Sequence, residues 1–259
     1  MLLARGADIG VVFRRGPTAW WHILKWDLNK FTLESGAWMK GSLYPTRSAV
    51  SRDGNVLAYF AIHGSWGSYL ALSKPQWLTA LCARKTVGTW TTGVYFERDG
   101  KLKAFGALCE DQPFHGSCPF PYEFGGVDTN WNRAREFQFI MNGWKPKATD
   151  ASEESFNPRS KEIIELSKCS PRDPELVLNR YSEFGSCLYT IRYQDNQESI
   201  LSEAVWADFD KMGRLVMATS AGELKLYELI GKNMTTKFSH NLNMLKPNRI
   251  QAPSWARNW

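Results

Sequence analysis

Apolar and polar residues alternate in short runs along most of the chain, and turns that contain glycine separate these runs. Three segments share one pattern: an apolar residue, a polar residue, a cation, a turn ending in Gly, and a further apolar run. They are residues 50–59, 96–105 and 209–218. Glycine adopts positive φ without a Cβ clash, which suits a tight hairpin turn. The pattern therefore predicts β-hairpins at Gly54, Gly100 and Gly213.

The residues that follow two of these turns also match one another. After Gly54 come an apolar run at 57–62, a Gly-rich turn and a second run at 69–72; after Gly213 come runs at 215–219 and 224–229. Strands joined by short turns favour an antiparallel sheet, and the lack of regular strand–helix alternation disfavours a parallel α/β fold. Gly54 and Gly100 are 46 residues apart, close to the length of one four-stranded propeller blade, about 40–50 residues.

These hairpins resemble the blades of WD-repeat proteins and of related bacterial β-propellers, and Trp26-Asp27 resembles the dipeptide that ends such blades. The similarity covers roughly residues 11–107 and 185–230. It implies an all-β fold: one propeller-like domain over 1–259, built as a stack of about five antiparallel sheets, with four or six as alternatives. Aromatic side chains such as Trp26, Tyr59 and Phe209 are expected to fill the interfaces between blades.

The segment 109–174 interrupts the pattern and is predicted to be a loop-rich insertion with little regular structure. We expect a short strand at 136–141 and a short helix around 160–168, where apolar residues lie on one side. Asp173-Pro174-Glu175 has the order of a helix N-terminus, which predicts a helix to about residue 181. A strand at 175–178 fits the same residues, and the sequence leaves both open.

Composition and charge narrow the class of protein. The 259 residues include 12 Trp, 9 Tyr and 14 Phe, a content that predicts a packed core. Five cysteines, an odd number without a regular spacing, indicate reduced thiols and a cytoplasmic protein. The chain contains no apolar stretch long enough for a membrane span, and the broken apolar run at its start disfavours a signal peptide, so no membrane partner is predicted.

Candidate catalytic residues are few. The four histidines are scattered, and the motifs of zinc proteases, serine hydrolases and phosphate-binding loops are all lacking. The chain is therefore predicted to be non-enzymatic and to need no cofactor. Cys109, His115 and Cys118 form a weak candidate metal site without a local fourth ligand. Asp53 and Asp99 are better explained by turn hydrogen bonds than by calcium.

The C-terminal segment 231–259 carries five cations and no acid, against a net charge of +6 for the whole chain. Cations interleaved with aromatic rings suit single-stranded nucleic acid, whose phosphates they neutralise and whose bases stack on the rings. Alternatively, this segment forms a closing strand with solvated cations. The candidate residues for binding a partner or nucleic acid are Arg14, Arg15, Lys232, Lys237, Lys246, Arg249, Trp255, Arg257 and Trp259.

The leading functional expectation is a non-enzymatic protein–protein interaction module or scaffold subunit of a bacterial multi-component complex. The resemblance to propeller adaptors implies a signalling or antiviral setting, CRISPR-associated systems included. Nucleic-acid binding through the basic aromatic segment is the first alternative. An enzyme with its site at the axial mouth of a propeller is the second.

Overall fold

The computed structural model describes residues 1–88, 93–105, 116, 118, 120–125, 139–146, 164–171, 174–180 and 187–259. The protein is mostly β. Its described strands form five sheets that follow one another along the chain, here called sheets 1 to 5. The chain divides into two compact units: unit 1 comprises Met1–Met141 and Lys246–Trp259, and unit 2 comprises Asn142–Leu245.

Unit 1 contains sheets 1 to 3. Sheet 1 consists of β1 (Leu2–Leu3), β2 (Ile9–Arg15), β3 (Trp20–Asp27) and β4 (Thr32–Lys40). Sheet 2 consists of β5 (Ser42–Leu43), β6 (Ala49–Val50), β7 (Leu57–His63), β8 (Gly67–Ser73) and β9 (Cys82–Lys85), and sheet 3 of β10 (Gly93–Phe96), β11 (Leu102–Phe105) and β12 (Tyr122–Gly125). The paired strands of these sheets run antiparallel, and β5 and β6 both pair with β7; the exception is β12, which runs parallel to β11.

The three predicted hairpins are confirmed. Each turn is closed by the same hydrogen bond, in which the glycine N–H donates to the carbonyl three residues earlier: Gly54 to Ser51 (3.0 Å), Gly100 to Glu97 (3.1 Å) and Gly213 to Asp210 (3.0 Å). The φ angles of the glycines are +74°, +91° and +77°, in the left-handed region that side chains with a Cβ disfavour. The shared turn chemistry of the sequence thus produces a shared backbone conformation.

The core of unit 1 lies on both faces of sheet 2. Successive residues of a strand point to opposite faces. Leu57 and Tyr59 of β7 accordingly pack with Val11 and Ile23 of sheet 1. Ala58 of the same strand, with Leu70 and Leu72 of β8, packs against Val94, Phe96 and Leu102 of sheet 3. The three sheets of unit 1 are therefore stacked face to face through buried aliphatic and aromatic side chains.

Unit 2 contains sheets 4 and 5. Sheet 4 consists of β13 (Lys145–Pro146), β14 (Ile164–Cys169), β15 (Glu175–Arg180), β16 (Cys187–Arg192) and β17 (Glu198–Ile200). Sheet 5 consists of β18 (Ala204–Phe209), β19 (Leu215–Thr219), β20 (Glu223–Ile230) and β21 (Asn233–Asn241). All these strands pair antiparallel with their neighbours in sequence.

The predicted helix at 160–168 is wrong, because residues 164–169 form β14. Leu166 of β14 lies opposite Leu178 of β15, and both side chains are buried. This cross-strand pair outweighs the one-sided apolar pattern that suggested a helix. Of the two possibilities for residues after Pro174, the strand is correct. In the predicted strand at 136–141, residues 139–141 are helical, and 136–138 lie outside the described residues.

The described residues of the predicted insertion at 109–174 contribute strands to sheets 3 and 4. The five described sheets contain three to five strands each. Among the described residues, neither a closed barrel nor a closed propeller is found. In the same part of the chain, no helix is long and apolar enough to cross a membrane.

Candidate functional site

A group of cationic and aromatic side chains lies at one end of sheet 1, beside the turn that joins β2 to β3. We call it the hairpin patch: Arg14, Trp20, His22, Trp38, Lys40 and Arg249. The strand register brings its members together, since Arg14 of β2 lies opposite His22 of β3. On the other side of β3, the residues opposite His22 and Trp20 are Trp38 and Lys40 of β4.

A β-bulge sets this register. Leu24 lies opposite Ser35, but His22 lies opposite Trp38, so Gly36 and Ala37 together face the single residue between His22 and Leu24. Such a bulge leaves an N–H group outside the ladder. Here the Ala37 N–H donates to the carbonyl oxygen of Gln76 at 2.8 Å. The bulge therefore ties β4 to the segment after β8 and moves Trp38 beside His22.

The rings of the patch are in contact with one another. His22 stacks on Trp38 with ring centroids 4.2 Å apart and planes 5° apart, and Trp20 meets Trp38 edge to face at 6.4 Å. The guanidinium carbon of Arg14 lies 5.9 Å from the centroid of Trp38, and that of Arg249 lies 5.2 Å from the centroid of Trp20. These distances are within the range of cation–π attraction.

His22 is a neutral, buried member of the patch. Its Nε2 lies 2.8 Å from the Ser35 hydroxyl oxygen, and its Nδ1 is buried without a hydrogen-bond partner. Burial, together with the positive charge of Arg14, lowers the pKa of His22 to about 4. The imidazole is therefore uncharged at neutral pH.

Two exposed cations of the patch form no ion pair with a carboxylate of the described residues. Lys40 and Arg249 are exposed, and none of the ion pairs found among the described residues includes them. Ten other described cations do form ion pairs: Lys25, Lys30, Lys101, Lys103, Lys168, Arg192, Arg214, Lys225, Lys232 and Lys237. Lys40 and Arg249 therefore place positive charge beside the aromatic rings of the patch.

The structure divides the predicted basic segment 231–259 between the two units. Lys232 and Lys237 belong to unit 2, where they pair with Asp195 and Glu228. Residues 246–259 belong to unit 1 and end in a short 3-10 helix, Ser254–Arg257. Both lysines nearest the start of the segment are thus engaged in ion pairs.

The last fourteen residues pack on unit 1. Ala252 and Ala256 are buried against Trp77, and the Arg257 Nε donates to the Ala252 carbonyl at 2.8 Å. Trp259 meets Phe120 edge to face at 5.7 Å. Lys246 is exposed and Trp255 is 54% exposed. Of the predicted binding residues, the structure brings Arg14 and Arg249 to the hairpin patch, whereas Arg15 lies opposite Trp21 on the other face of the strand.

Two residues of the weak metal candidate, Cys109 and His115, lie outside the described residues. The described part of the chain contains no group of three or more His, Cys, Asp or Glu side chains that could hold a metal ion. Asp53 and Asp99 accept hydrogen bonds from the N–H groups of Asn55 (3.1 Å) and Lys101 (3.0 Å). These are the turn hydrogen bonds that the sequence predicted.

Sequence reasoning did not assign Trp20, His22, Trp38 or Lys40 to the site. One available signal was the spacing of Trp20 and His22, which places both on one face of a strand. The partner residues on β4 depend on the bulge, which the sequence does not reveal.

The chain belongs to the class of all-β proteins made of successive sheets. A scan against protein-family models and a search of curated proteins both gave no match.

Proposed function

We propose that the protein is a non-enzymatic binding module that binds single-stranded nucleic acid at the hairpin patch, on a propeller-like scaffold of about five sheets. One observation carries this proposal. Exposed cations flank the half-buried indole ring of Trp20, and these cations form no ion pair with the described residues. Lys40 is exposed and lies opposite Trp20 in the strand register, and the exposed Arg249 lies against the Trp20 ring.

The chemistry of the patch suits such a ligand in two ways. Lysine and arginine neutralise phosphates and release counterions, which gives affinity that falls with salt. An aromatic side chain offers a face on which a base stacks, independent of sequence. Arg249 holds the Trp20 ring from one side, so the indole is oriented before a base arrives.

The test is a fluorescence anisotropy titration of a labelled oligouridylate and a labelled oligothymidylate between about 50 and 200 mM salt. Each phosphate contact contributes about −0.7 to the slope of log affinity against log salt. The double substitution Lys40→Gln/Arg249→Gln is expected to reduce the slope by about 1.4. Trp20→Leu is expected to weaken binding by about 1–3 kcal/mol, roughly 5- to 150-fold, through loss of stacking.

Lys30→Gln is the matched control. Lys30 is an exposed cation of the same sheet, located at its opposite end beside Asp27. This variant is expected to bind like the wild type. Equal losses in Lys30→Gln and in the patch variants would refute a site at the patch, as would affinity that does not change with salt.

A second candidate function is a protein–protein interaction through β21, as expected of a scaffold subunit in a bacterial signalling or antiviral complex. β21 is the edge of sheet 5, and seven of its nine residues are exposed. An edge strand offers backbone N–H and C=O groups to which a partner's strand can add. This observation favours a protein partner at unit 2, separate from the hairpin patch.

The test of this second function is affinity purification from the native host with two tagged variants. Thr235→Asp/Ser239→Asp places charge on the exposed edge strand, and Ser202→Asp places it on an exposed residue outside that strand. A protein partner that binds β21 is retained by Ser202→Asp and lost from the edge variant. Retention by both variants contradicts the edge-strand interface.

A further inference from the structure

Two cysteine thiols that are far apart in sequence meet in unit 1. Cys82 begins β9 and is fully buried in the core between sheets 2 and 3. Cys118 is half-buried and packs against the same core cluster. Gly116, two residues before Cys118, lies directly beside Cys82, since a Cβ at residue 116 would be 3.4 Å from the Cys82 Cα, and both thiols are free.

Gly116 and Phe120, which lie two residues before and two residues after Cys118, both pack against unit 1. Gly116 has φ +85°, and a Cβ there would lie 2.2 Å from the carbonyl oxygen of Leu81, so the chain passes directly against the residue before Cys82. Two residues beyond Cys118, Phe120 packs edge to face on Phe96 with ring centroids 6.2 Å apart. The approach of the two sulfur atoms is therefore a constrained feature of the fold.

The two thiols differ in reactivity. The hydrogen bond from Cys82 lowers the pKa of Cys118 to about 7, although burial opposes this shift. The same hydrogen bond, followed by burial, raises the pKa of Cys82. Because the thiolate is the nucleophile, Cys118 is the thiol that attacks an oxidant at neutral pH. Cys82 is the buried neighbour that can complete a disulfide.

We propose that Cys82 and Cys118 form a reversible disulfide when the protein meets a hydroperoxide. The Cys118 thiolate attacks the terminal peroxide oxygen; the O–O bond breaks, and the leaving alkoxide or hydroxide takes a proton. Cys118 becomes a sulfenic acid. The Cys82 sulfur then attacks the Cys118 sulfur, the S–O bond breaks, and the hydroxide leaves as water with the Cys82 proton. With hydrogen peroxide, two thiols and one peroxide give one disulfide and two waters.

The disulfide is expected to stabilise the packing of the C-terminal segment, residues 246–259, on the rest of unit 1. Phe120, two residues after Cys118, is the residue on which Trp259 packs at 5.7 Å. A covalent link to β9 fixes the segment that carries Phe120. This inference concerns unit 1 alone and is independent of nucleic-acid binding at the hairpin patch.

The test treats the purified full-length protein with hydrogen peroxide, then counts free thiols after unfolding and maps peptides without reduction. The wild type is expected to fall from five thiols to three, with one peptide pair joining Cys82 to Cys118, and to recover five after treatment with dithiothreitol. Oxidised wild type is expected to melt at a higher temperature than reduced wild type.

Two variants keep the proposal falsifiable. Cys82→Ala is expected to accumulate a sulfenic acid at Cys118 that dimedone traps, whereas Cys118→Ser is expected to keep its remaining thiols reduced under the same exposure. Cys187→Ser, in unit 2, is the control and should form the same disulfide as the wild type. A disulfide between Cys118 and Cys109 would overturn the proposal, as would oxidation no faster at Cys118 than at Cys187.

Discussion

Gly36→Ala tests how β4 is attached to the rest of unit 1. Gly36 lies in the β4 bulge, next to Ala37, whose N–H donates to the Gln76 carbonyl. A Cβ on residue 36 would lie 1.9 Å from the Gln76 oxygen and 2.6 Å from the Gln76 Cβ. Neither atom is at the free end of a flexible side chain, so no rotamer change relieves the clash. Because carbon atoms normally stay about 3.5 Å apart, β4 or the segment around Gln76 must move by more than about 1 Å.

The free-energy cost has two parts. Forced displacement in a packed region costs about 1–3 kcal/mol. Losing the Ala37–Gln76 hydrogen bond adds about 1–3 kcal/mol if the groups are left without partners. We therefore expect a loss of about 3 kcal/mol in the stability of unit 1. Trp77 follows Gln76 and contacts Ala252 and Ala256, so the C-terminal segment should loosen as well.

Urea unfolding followed by tryptophan fluorescence measures this loss, and hydrogen exchange of peptides from β4 and from residues 246–259 locates it. Gly64→Ala, also in unit 1, is the matched control. Gly64 has φ +52°, and no atom lies within 4 Å of its Cβ position. It should cost only the left-handed backbone penalty, about 1–2 kcal/mol, and leave exchange in β4 unchanged. A Gly36→Ala protein as stable as Gly64→Ala would refute the close approach of β4 to Gln76.

Two further predictions concern ionisable groups. The pKa of His22 is about 4 in the folded protein against 6.5 in the unfolded chain, so the unfolded state binds the proton more tightly. The free energy of unfolding should therefore fall as the pH drops from about 6.5 to 4, by up to about 3 kcal/mol. His22→Phe should remove this part of the pH dependence in unfolding titrations; the same slope in both proteins would contradict a buried neutral imidazole. Asp210→Ala should destabilise unit 2 by about 3 kcal/mol in urea unfolding, since Arg214 is largely buried and loses a 2.7 Å ion pair. Asp195→Ala, at an exposed ion pair, should change stability little, and an equal loss in both would contradict the burial of the Asp210 pair.

The turn chemistry of the sequence was sufficient to predict the hairpins. Gly54, Gly100 and Gly213 each occupy the left-handed region in a turn closed by the same backbone bond. This signal is local, because a glycine between two apolar runs constrains the backbone within four residues. The antiparallel strands on either side of each turn follow from it directly.

Local patterns failed where long-range pairing decided the structure. The apolar residues Ile163, Ile164 and Leu166 predicted a short helix around 160–168, yet Leu166 is buried opposite Leu178 in sheet 4. The parallel pairing of β12 with β11 was likewise not predicted. In both cases the stabilising contact is made with a partner strand elsewhere in the chain, and the residues of the segment alone do not identify that partner.

The sequence by itself determined the β class, the positions of the turns and the excess of cations near the C-terminus. These properties depend on residue identity and on short-range backbone geometry. Only the tertiary structure decided which cations meet which rings. The bulge at Gly36 sets Trp38 beside His22, and the return of the chain to unit 1 sets Arg249 against Trp20. The first contact depends on the strand register and the second on the path of the C-terminal segment. Contacts between residues distant in sequence determine both.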